Sequence, residues 1–441
     1  MARSRFLPFI IGLALLLAAC SSSESGATTS STSGADTSTT SGATTSSTSA
    51  ATTSEPVGPS GEPIRLGLID KLSGSLAQIG QDTLQGVTIA VEQINAAGGV
   101  LGRPLEIVTE DEVDSAASVD AVRSLNSEGI PFVLGFTSSA DALAALPIAE
   151  QIDTIIVGSH PATTSLTTTD WVPNFVRISA NDAMMANAIT RFVYDRFPDV
   201  TKWNTFGFDY VTGHDQWESF VSNLTALEPD FERGEEVFFP FDAVGALQPY
   251  ITSMLSNLPA DSPENEGLTL TTFGSGTFNL VQQGAPYELM DQFAVVVAMS
   301  GGGFLHQAAQ LGADTPEIYS QYDYYYEAYD TPQNAAFVAD YEAEYGEVPG
   351  SWALQGYMSV FAYAAAFEKA GNTEFADVLA AFDDLTFSAP QGEVTIRAGD
   401  HQASVNVVMR HFVPAPGTEA GFEVAEFWVN ESADILPPVT H

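Results

Sequence analysis

Short apolar runs alternate with longer amphipathic stretches from residue 64 onward. Short runs fit buried strands, and apolar positions spaced three and four apart fit one face of a helix. The first pair is a strand predicted at 64–69 and a helix predicted at 83–97, which stops at Gly98 and Gly99. Further strands are predicted at 105–110, 130–135, 154–158, 205–209, 235–239 and 293–299. Further helices are predicted at 115–127, 140–151, 183–197, 216–227, 246–257 and 304–311.

This alternation predicts an α/β fold, because strands linked by helices at this spacing form a parallel, doubly wound sheet. The series occurs twice along the chain, so two comparable lobes joined near residues 177–179 are the economical interpretation. Residues 261–287 are rich in turn-forming residues, and we expect them to form an insertion.

A secretory signal is predicted ahead of this body, at residues 1–20. Arg3 and Arg5 lead into a short apolar run that ends at Leu-Ala-Ala-Cys20, which is typical of a signal peptide. The run is shorter than the roughly 20 residues of a membrane span. Its end also resembles a bacterial lipobox, in which Cys20 carries a lipid, although a plain signal peptide with an incidental cysteine is the alternative. The lipobox implies an extracytoplasmic protein, attached to the outer face of the cytoplasmic membrane by its lipid anchor only.

Residues 21–61 are predicted to be a disordered tether. Between residues 21 and 54, 24 of 34 residues are Ser or Thr and none is aromatic. Such a segment cannot bury enough apolar surface to offset its loss of conformational entropy. As a flexible coil it would reach roughly 35 Å, enough to let a globular body work beside a membrane partner.

Charge narrows the classes of function. The 441 residues include 56 Asp and Glu against 14 Lys and Arg, a net charge of −42. Nucleic acid is therefore not an expected partner, because phosphate binding needs a basic patch. The single cysteine and six dispersed histidines show no metal-ligand spacing, so no metal and no cofactor are predicted. No motif of nucleophilic, metal or nucleotide chemistry supports an enzyme.

A glycine-rich motif after the first helix carries a specific resemblance. Residues 94–105 (INAAGGVLGRPL), together with 72–80, 135–139, 208–213, 332–341 and 389–394, resemble the type I periplasmic solute-binding proteins. These are the branched-chain amino-acid type that serves ABC transporters, and the Ala-Pro-Gln-Gly pattern at 389–392 is similar to the amide and urea binders. The resemblance implies two Rossmann-like lobes joined by three crossover strands and closing on a small solute. We expect the crossings at 177–181, 322–331 and 387–392. Lobe 1 would then be 62–178 plus 328–388, and lobe 2 would be 179–327 plus 389–441.

Two loops of lobe 1 supply candidate ligand contacts. Ser138 and Ser139 follow a predicted strand and open a helix, where hydroxyls and free N–H groups suit a carboxylate or carbonyl oxygen. One serine could equally cap the helix. The resemblance favours Ser139 as the ligand contact. In the next loop it places the second contact at Ala162 or Thr163, depending on a one-residue shift, and Thr163 is the candidate because it has a hydroxyl. His160 is either a polar contact or a satisfied loop histidine, and Gln78 lies in the first loop that the resemblance covers.

Lobe 2 is expected to supply Tyr210, Thr212 and Ser300. The resemblance places a tyrosine just before a glycine, where this chain has Thr212 and, two residues earlier, Tyr210. The glycines after Ser300 either let a ligand approach the backbone or only form a tight turn. For an amine, Asp323 beside Tyr322 would offer a carboxylate and an aromatic face, although these tyrosines could simply be packed strand residues.

The resemblance implies a binding protein that delivers its solute to an ABC permease. No Lys or Arg occurs between residues 234 and 368, so a zwitterionic, neutral amide-like or cationic solute is expected: an amino acid, amide, urea or amine. The alternatives are a ligand-sensing receptor module of the same fold and a non-transport protein of the cell envelope.

Overall fold

Two twisted sheets run through residues 58–258 and 265–440, the part of the chain that the computed structural model describes. The predicted signal peptide, Cys20 and the tether up to residue 57 lie outside these residues. Among the described residues, no helix is both long enough and apolar enough to cross a membrane. The two sheets, each flanked by helices, confirm the predicted α/β fold class with two Rossmann-like lobes.

The sheet of lobe 1 has five parallel strands in the order β2-β1-β3-β4-β5. Its strands are β1 (Ile64–Asp70), β2 (Leu105–Asp111), β3 (Phe132–Gly135), β4 (Ile155–Gly158) and β5 (Phe175–Arg177). The helices between them are α1 (Ala77–Ala96), α2 (Ser115–Ser127) and α3 (Ser139–Gln151). Strands β3 and β4 are buried along their whole length, which is why they are continuous apolar runs rather than alternating patterns.

The sheet of lobe 2 has seven strands in the order β14-β13-β10-β9-β8-β6-β7, and only β13 and β14 run antiparallel to their neighbours. Its first five strands are β6 (Lys202–Phe208), β7 (Glu232–Phe239), β8 (Glu266–Thr271), β9 (Val295–Ala298) and β10 (Ile318–Tyr322). The helices that accompany them are α4 (Asp182–Arg196), α5 (Val211–Leu227), α6 (Gln248–Asn257), α7 (Ser275–Gly284) and α8 (Phe304–Leu311).

After β10 the chain returns to lobe 1. It forms α9 (Pro332–Tyr345), α10 (Ser351–Ala370), α11 (Phe375–Ala381) and a hairpin of β11 (Leu385–Ala389) and β12 (Gly392–Ile396). Helix α10 packs along α1 and is buried over most of its length. The chain ends in lobe 2 with β13 (Val407–Pro414), β14 (Phe422–Asn430) and the short α12 (Ser432–Ile435).

The prediction of an insertion at 261–287 was wrong over the described residues 265–287. Strand β8 is buried at every position and lies between β6 and β9 in the sheet. Its polar residues are paired inside the lobe: Glu266 binds Lys202 at 2.9 Å, and Thr269 donates to the backbone oxygen of Asn204 at 3.2 Å. A strand whose buried threonines are satisfied by neighbouring strands has no apolar signature, so its sequence resembled a turn-rich segment.

The third crossing was also misplaced. Residues 387–392 belong to the β11–β12 hairpin, whose side chains Phe387, Val394 and Ile396 lie in the core of lobe 1. The chain still touches lobe 1 at Gln402, which forms a parallel bridge with Arg177 beside β5, and it enters the sheet of lobe 2 only at Val407. The boundary predicted at 388/389 therefore falls inside lobe 1, because the Ala-Pro-Gln-Gly motif is a hairpin turn and not a crossing strand.

Helix α1 begins at Ala77, six residues before its predicted start. Gly80 had indicated a loop, since glycine is unfavourable inside a helix. The structure gives its reason: a Cβ at residue 80 would lie 2.2 Å from the backbone oxygen of Lys71. The glycine allows the first turn of α1 to pack on the loop that follows β1.

Candidate ligand-binding cavity

A partly enclosed cavity lies between the two lobes, beyond the carboxyl ends of strands from both sheets. This is the position where doubly wound sheets bind ligands. About 390 Å³ of space there is free of protein atoms, part of it open to solvent. The residues that line it are Ile79, Thr137, Ser139, His160, Ala162, Tyr210, Thr212, Phe273, Ser300, Tyr322 and Trp352.

Six of the ten residues predicted as ligand contacts line this cavity: Ser139, His160, Tyr210, Thr212, Ser300 and Tyr322. The other four do not. Gln78 is exposed on α1 and bonds Asp82 at 2.5 Å. Thr163 is turned away from the cavity and donates to Asp215 at 2.5 Å. Ser138 and Asp323 are corrected below.

Ser139 faces the cavity from the first turn of α3. Its Oγ accepts the backbone N–H groups of Ala162 at 3.1 Å and Thr163 at 3.2 Å. Because both lone pairs are used in this way, the hydroxyl hydrogen is left to donate, and the nearest acceptor is Thr212 Oγ1 at 3.4 Å across the cleft. Ser139 is thus a fixed hydrogen-bond donor to anything held in the cavity.

Ser138 caps the helix instead of lining the cavity. Its Oγ accepts from the backbone N–H of Asp141 at 3.2 Å, as an N-cap residue does. Its own backbone N–H, and that of Thr137, donate to the carboxyl group of Glu112 at 2.9 and 2.7 Å. The protein's own acid therefore occupies amides that a ligand carboxylate could have used. Burial and the charge of Asp70 raise the pKa of Glu112 well above its usual range.

His160 lies at the centre of a buried polar network. Its Nδ1 contacts Oε1 of Gln355, whose Nε2 donates to Asp323 at 2.6 Å. Its Nε2 lies 2.6 Å from Oγ1 of Thr83, and that hydroxyl donates its only hydrogen to the backbone oxygen of Ile79 at 2.8 Å. Each ring nitrogen of His160 therefore has a hydrogen-bonding neighbour, and the ring is held from both sides.

Asp70 lies beside this ring, with its Oδ2 3.5 Å from His160 Nε2. Burial acts to raise the pKa of Asp70, but the hydrogen bond and charge of His160, with the bond from Thr137, hold it below its ordinary value. His160 is therefore both a satisfied histidine and part of the cavity wall, the two interpretations that its sequence position had left open.

Asp323 does not reach the cavity. On the strand that ends with Tyr322, the tyrosine side chain lines the cavity and the next side chain points elsewhere, to Gln355. Burial raises the pKa of Asp323 to about 6, opposed by the bond from Gln355 and the charge of His160. Asp323 is therefore not placed to bind a ligand amine directly, as the sequence had predicted. Tyr324 is a packed residue bonded to Asn334 at 2.5 Å.

The wall from lobe 2 is built on the first two turns of α5. Gln216 donates from Nε2 to Ser300 Oγ at 2.5 Å and to Asp182 Oδ1 at 2.9 Å. Ser300 therefore accepts from the protein and keeps its hydrogen for the cavity, as Ser139 does on the opposite wall. Asp182, at the start of α4, was not identified from the sequence.

The glycines after Ser300 serve a third purpose. A Cβ at Gly302 would lie 2.6 Å from Nε1 of Trp352, and a Cβ at Gly303 would lie 2.3 Å from its ring. The glycines admit the indole of Trp352 from helix α10 of lobe 1, which then closes one side of the cavity. Trp352 lies far from the other lining residues in the chain, and no local pattern marked it.

The cleft is closed by hydrogen bonds between the lobes. The hydroxyl of Tyr210 accepts the backbone N–H of Ala140 at 2.8 Å and lies 3.1 Å from Ser138 Oγ. The Thr163–Asp215 bond makes a second connection from the same turn of α5. Beyond Tyr210 a second, more open cavity follows, with Lys71 on its wall. The ammonium of Lys71 is bound to Asp141 at 2.7 Å.

Comparisons with known proteins agree with this geometry. Residues 63–413 match the family described as periplasmic binding protein. A leucine-, isoleucine-, valine-, threonine- and alanine-binding protein of Pseudomonas aeruginosa is 23% identical over 343 residues, which are 76% of this chain and 85% of the relative. The similarities confirm the resemblance to the type I proteins of the branched-chain amino-acid family.

Solved structures show the same fold. An amino-acid ABC transporter substrate-binding protein from Pseudomonas fluorescens Pf-5 has a TM-score of 0.72 and 24% identity, covering 83% of this chain and 96% of that one. A solute-binding protein from Rhodopseudomonas palustris HaA2, in complex with p-hydroxybenzoic acid, has a TM-score of 0.72 and 20% identity, covering 84% and 98%. These similar proteins are described as binding components of transporters.

Proposed function

The chain belongs to the periplasmic binding protein family, and we propose that it captures a small zwitterionic, neutral amide-like or cationic solute in the interlobe cavity. An ABC importer is the proposed recipient, as the description of the similar protein from Pseudomonas fluorescens suggests. Cys20 is proposed to carry the lipid anchor, with the Ser/Thr-rich segment as the tether. The roles that follow are proposed for the residues that line the cavity.

One observation carries the proposal: among the described residues that line the cavity, no Lys or Arg is present. The one lining side chain that can carry a positive charge is His160, and the carboxyl group of Asp70 lies 3.5 Å from it. A solute with a net negative charge would have to leave water without gaining a counter-charge, which is costly. A zwitterion or a neutral amide has no net charge to compensate, and an amine would need the negative charge of a carboxyl group behind the cavity wall.

The hydroxyls suit the polar end of such a solute. Ser139 donates into the cavity from one lobe and Ser300 faces it from the other, so a solute whose polar groups bond both hydroxyls would hold the cleft closed. The rings of Tyr322, Trp352 and Phe273 offer aromatic faces to the remainder of the solute. Closure on a solute held by both lobes is the hinge motion that couples binding to a change of shape.

A thermal-shift screen tests the proposal. The compounds are the common L-amino acids, acetamide, urea, glycine betaine, putrescine, benzoate and succinate. We expect a dose-dependent rise in melting temperature with members of the zwitterionic, amide or amine classes and none with the dicarboxylate. Ser139→Ala should lose this rise, while Ser127→Ala, an exposed serine at the end of α2, should keep it. A rise with succinate alone would contradict the proposed solute class.

A further inference from the structure

Two buried carboxyl groups lie behind the cavity, each joined to a wall residue through one glutamine. Asp323 is joined through Gln355 to His160, and Asp182 through Gln216 to Ser300. Each keeps one oxygen without a hydrogen-bond partner among the described residues. Native proteins rarely leave buried polar atoms unpaired, so both carboxyls call for an explanation.

Their surroundings differ in the charge that each meets. Asp323 lies near His160, a side chain that can carry a positive charge and that acts to lower the pKa of this acid. Asp182 faces the negative carboxylate of Asp215 on α5, and the hydroxyl of Tyr322 is the other titratable group near it. Of the two acids, Asp182 is the one that has no positively charged partner on α4 or α5 among the described residues.

The guanidinium of Arg177 is the one cation near Asp182 within the described parts of the chain, and it is engaged elsewhere. Its Nη2 donates to the backbone oxygen of Thr163 at 2.6 Å, and its Nη1 lies 3.3 Å from Thr167 and 3.4 Å from Gln402. No hydrogen bond joins it to Asp182 among the described residues. Arg177 acts on Asp182 only through its field.

In the free protein, these surroundings set the protonation state of Asp182. Burial raises the pKa of Asp182 to about 8, and Asp215 adds to the rise, against the bond from Gln216 and the charge of Arg177. At neutral pH the free protein therefore holds Asp182 mainly as the neutral acid. A positive charge arriving on the other side of the Thr212–Ser300 wall would favour the ionised form.

We infer that Asp182 is the counter-charge for a positively charged nitrogen of the solute, and that it loses its proton when that solute binds. It acts through Gln216, Thr212 and Ser300, so it is a positioning residue. The proton passes from the carboxyl group to the buffer as the positively charged nitrogen enters, so the new carboxylate balances the charge of that nitrogen. This inference rests on the proposed function, because it names the charged end of the solute held in the same cavity.

Calorimetric titration at pH 7, in two buffers that differ in ionisation enthalpy, counts the protons released. The probes with a positive nitrogen are L-leucine, L-alanine, glycine betaine and putrescine, and those without one are acetamide, urea, L-lactate and benzoate. Binding of the first group should release close to one proton, and its affinity should rise by up to about tenfold per pH unit between pH 6 and 8. Binding of the second group should release none.

Asp182→Asn should abolish the release, flatten the pH profile and weaken binding of the positive solutes by roughly tenfold, the size of a lost charged hydrogen bond. Asp323→Asn is the matched control, a buried acid behind the same cavity, and it should leave the proton count unchanged. If Asp182→Asn fails to fold, the number of protons released and the pH dependence of affinity in the unaltered protein still test the inference.

A positive-nitrogen solute that binds without proton release would overturn the inference and leave the proposed function standing. The same holds if only acetamide or urea binds. If only L-lactate or benzoate binds, both the inference and the proposed solute classes are rejected. If none of the eight probes binds, both the inference and the proposed solute classes are rejected.

Discussion

The protonation of Asp182 gives a prediction that needs no ligand. Burial raises the pKa of Asp182 to about 8 in the folded protein, from about 4 for an ordinary aspartate. Since the folded pKa is the higher one, the folded state holds the proton more tightly, and stability is lost as pH rises from about 4 to about 8. Asp182→Asn removes this titration and keeps the shape and the acceptor for Gln216.

The magnitude follows from the linkage of protons to folding. Between pH 5 and pH 7 the folded state keeps the proton and the unfolded state has lost it, so the slope is about 1.4 kcal/mol per pH unit. Over these two units, the free energy of unfolding of the unaltered protein should therefore fall by about 2.7 kcal/mol relative to that of Asp182→Asn. This value is an upper bound, because water that reaches Asp182 in the folded protein would lower its pKa and so reduce the fall in the free energy of unfolding.

Urea unfolding at pH 5, 6 and 7, followed by tryptophan fluorescence, measures the difference between the two proteins. Asp195→Asn, an exposed acid on the same helix, is the control and should track the unaltered protein at all three pH values. If the free energies of unfolding of the unaltered protein and Asp182→Asn differ by the same amount at all three pH values, within about 0.5 kcal/mol, the claim that buried Asp182 is protonated in the folded protein is refuted.

Three further changes test other parts of the account. Tyr210→Phe removes the acceptor of the Ala140 N–H across the cleft and should speed solute dissociation about three- to tenfold in stopped-flow fluorescence, with the association rate little changed. Gly80→Ala should lower the free energy of unfolding by about 2 kcal/mol or more, because its Cβ meets the Lys71 backbone, whereas Gly245→Ala, with open space around it, should be nearly neutral. Cys20→Ala should move the protein from the membrane fraction to the soluble one and abolish lipid labelling. Equal fractionation of both forms would rule out the lipid anchor.

The fold was predictable where local patterns agree with the tertiary environment. Strands such as β4 are buried on both faces, and helices such as α2 carry one apolar stripe, so periodicity located them well. Strand β8 escaped prediction because its threonines and Glu266 are satisfied by partners on other strands, which no local window contains. The hairpin at 385–396 was misplaced because a turn motif was assigned to a crossing strand.

The cavity was partly predictable for a related reason. Ser139, Thr212 and Ser300 follow strand ends, and the carboxyl ends of parallel strands meet at one edge of a sheet. Trp352 and Asp182 instead reach the site from helices, and their relation to it depends on how the two lobes meet. The local sequence around residue 323 was enough to place Asp323 near the site. It could not show that Gln355, from a distant helix, lies between Asp323 and the cavity wall.

The central claim, that this cavity holds a solute without net negative charge, is tested most directly by calorimetric titration of the strongest compound from the thermal-shift screen, which should be one of the zwitterionic, amide or amine compounds and not benzoate or succinate. The unaltered protein should bind it in a one-to-one complex, and Ser139→Ala should weaken the affinity by more than about fivefold, since a hydrogen bond to a charged group is lost. Ser127→Ala should bind as the unaltered protein does. An identical affinity in all three proteins would place the solute outside this cavity and contradict the account.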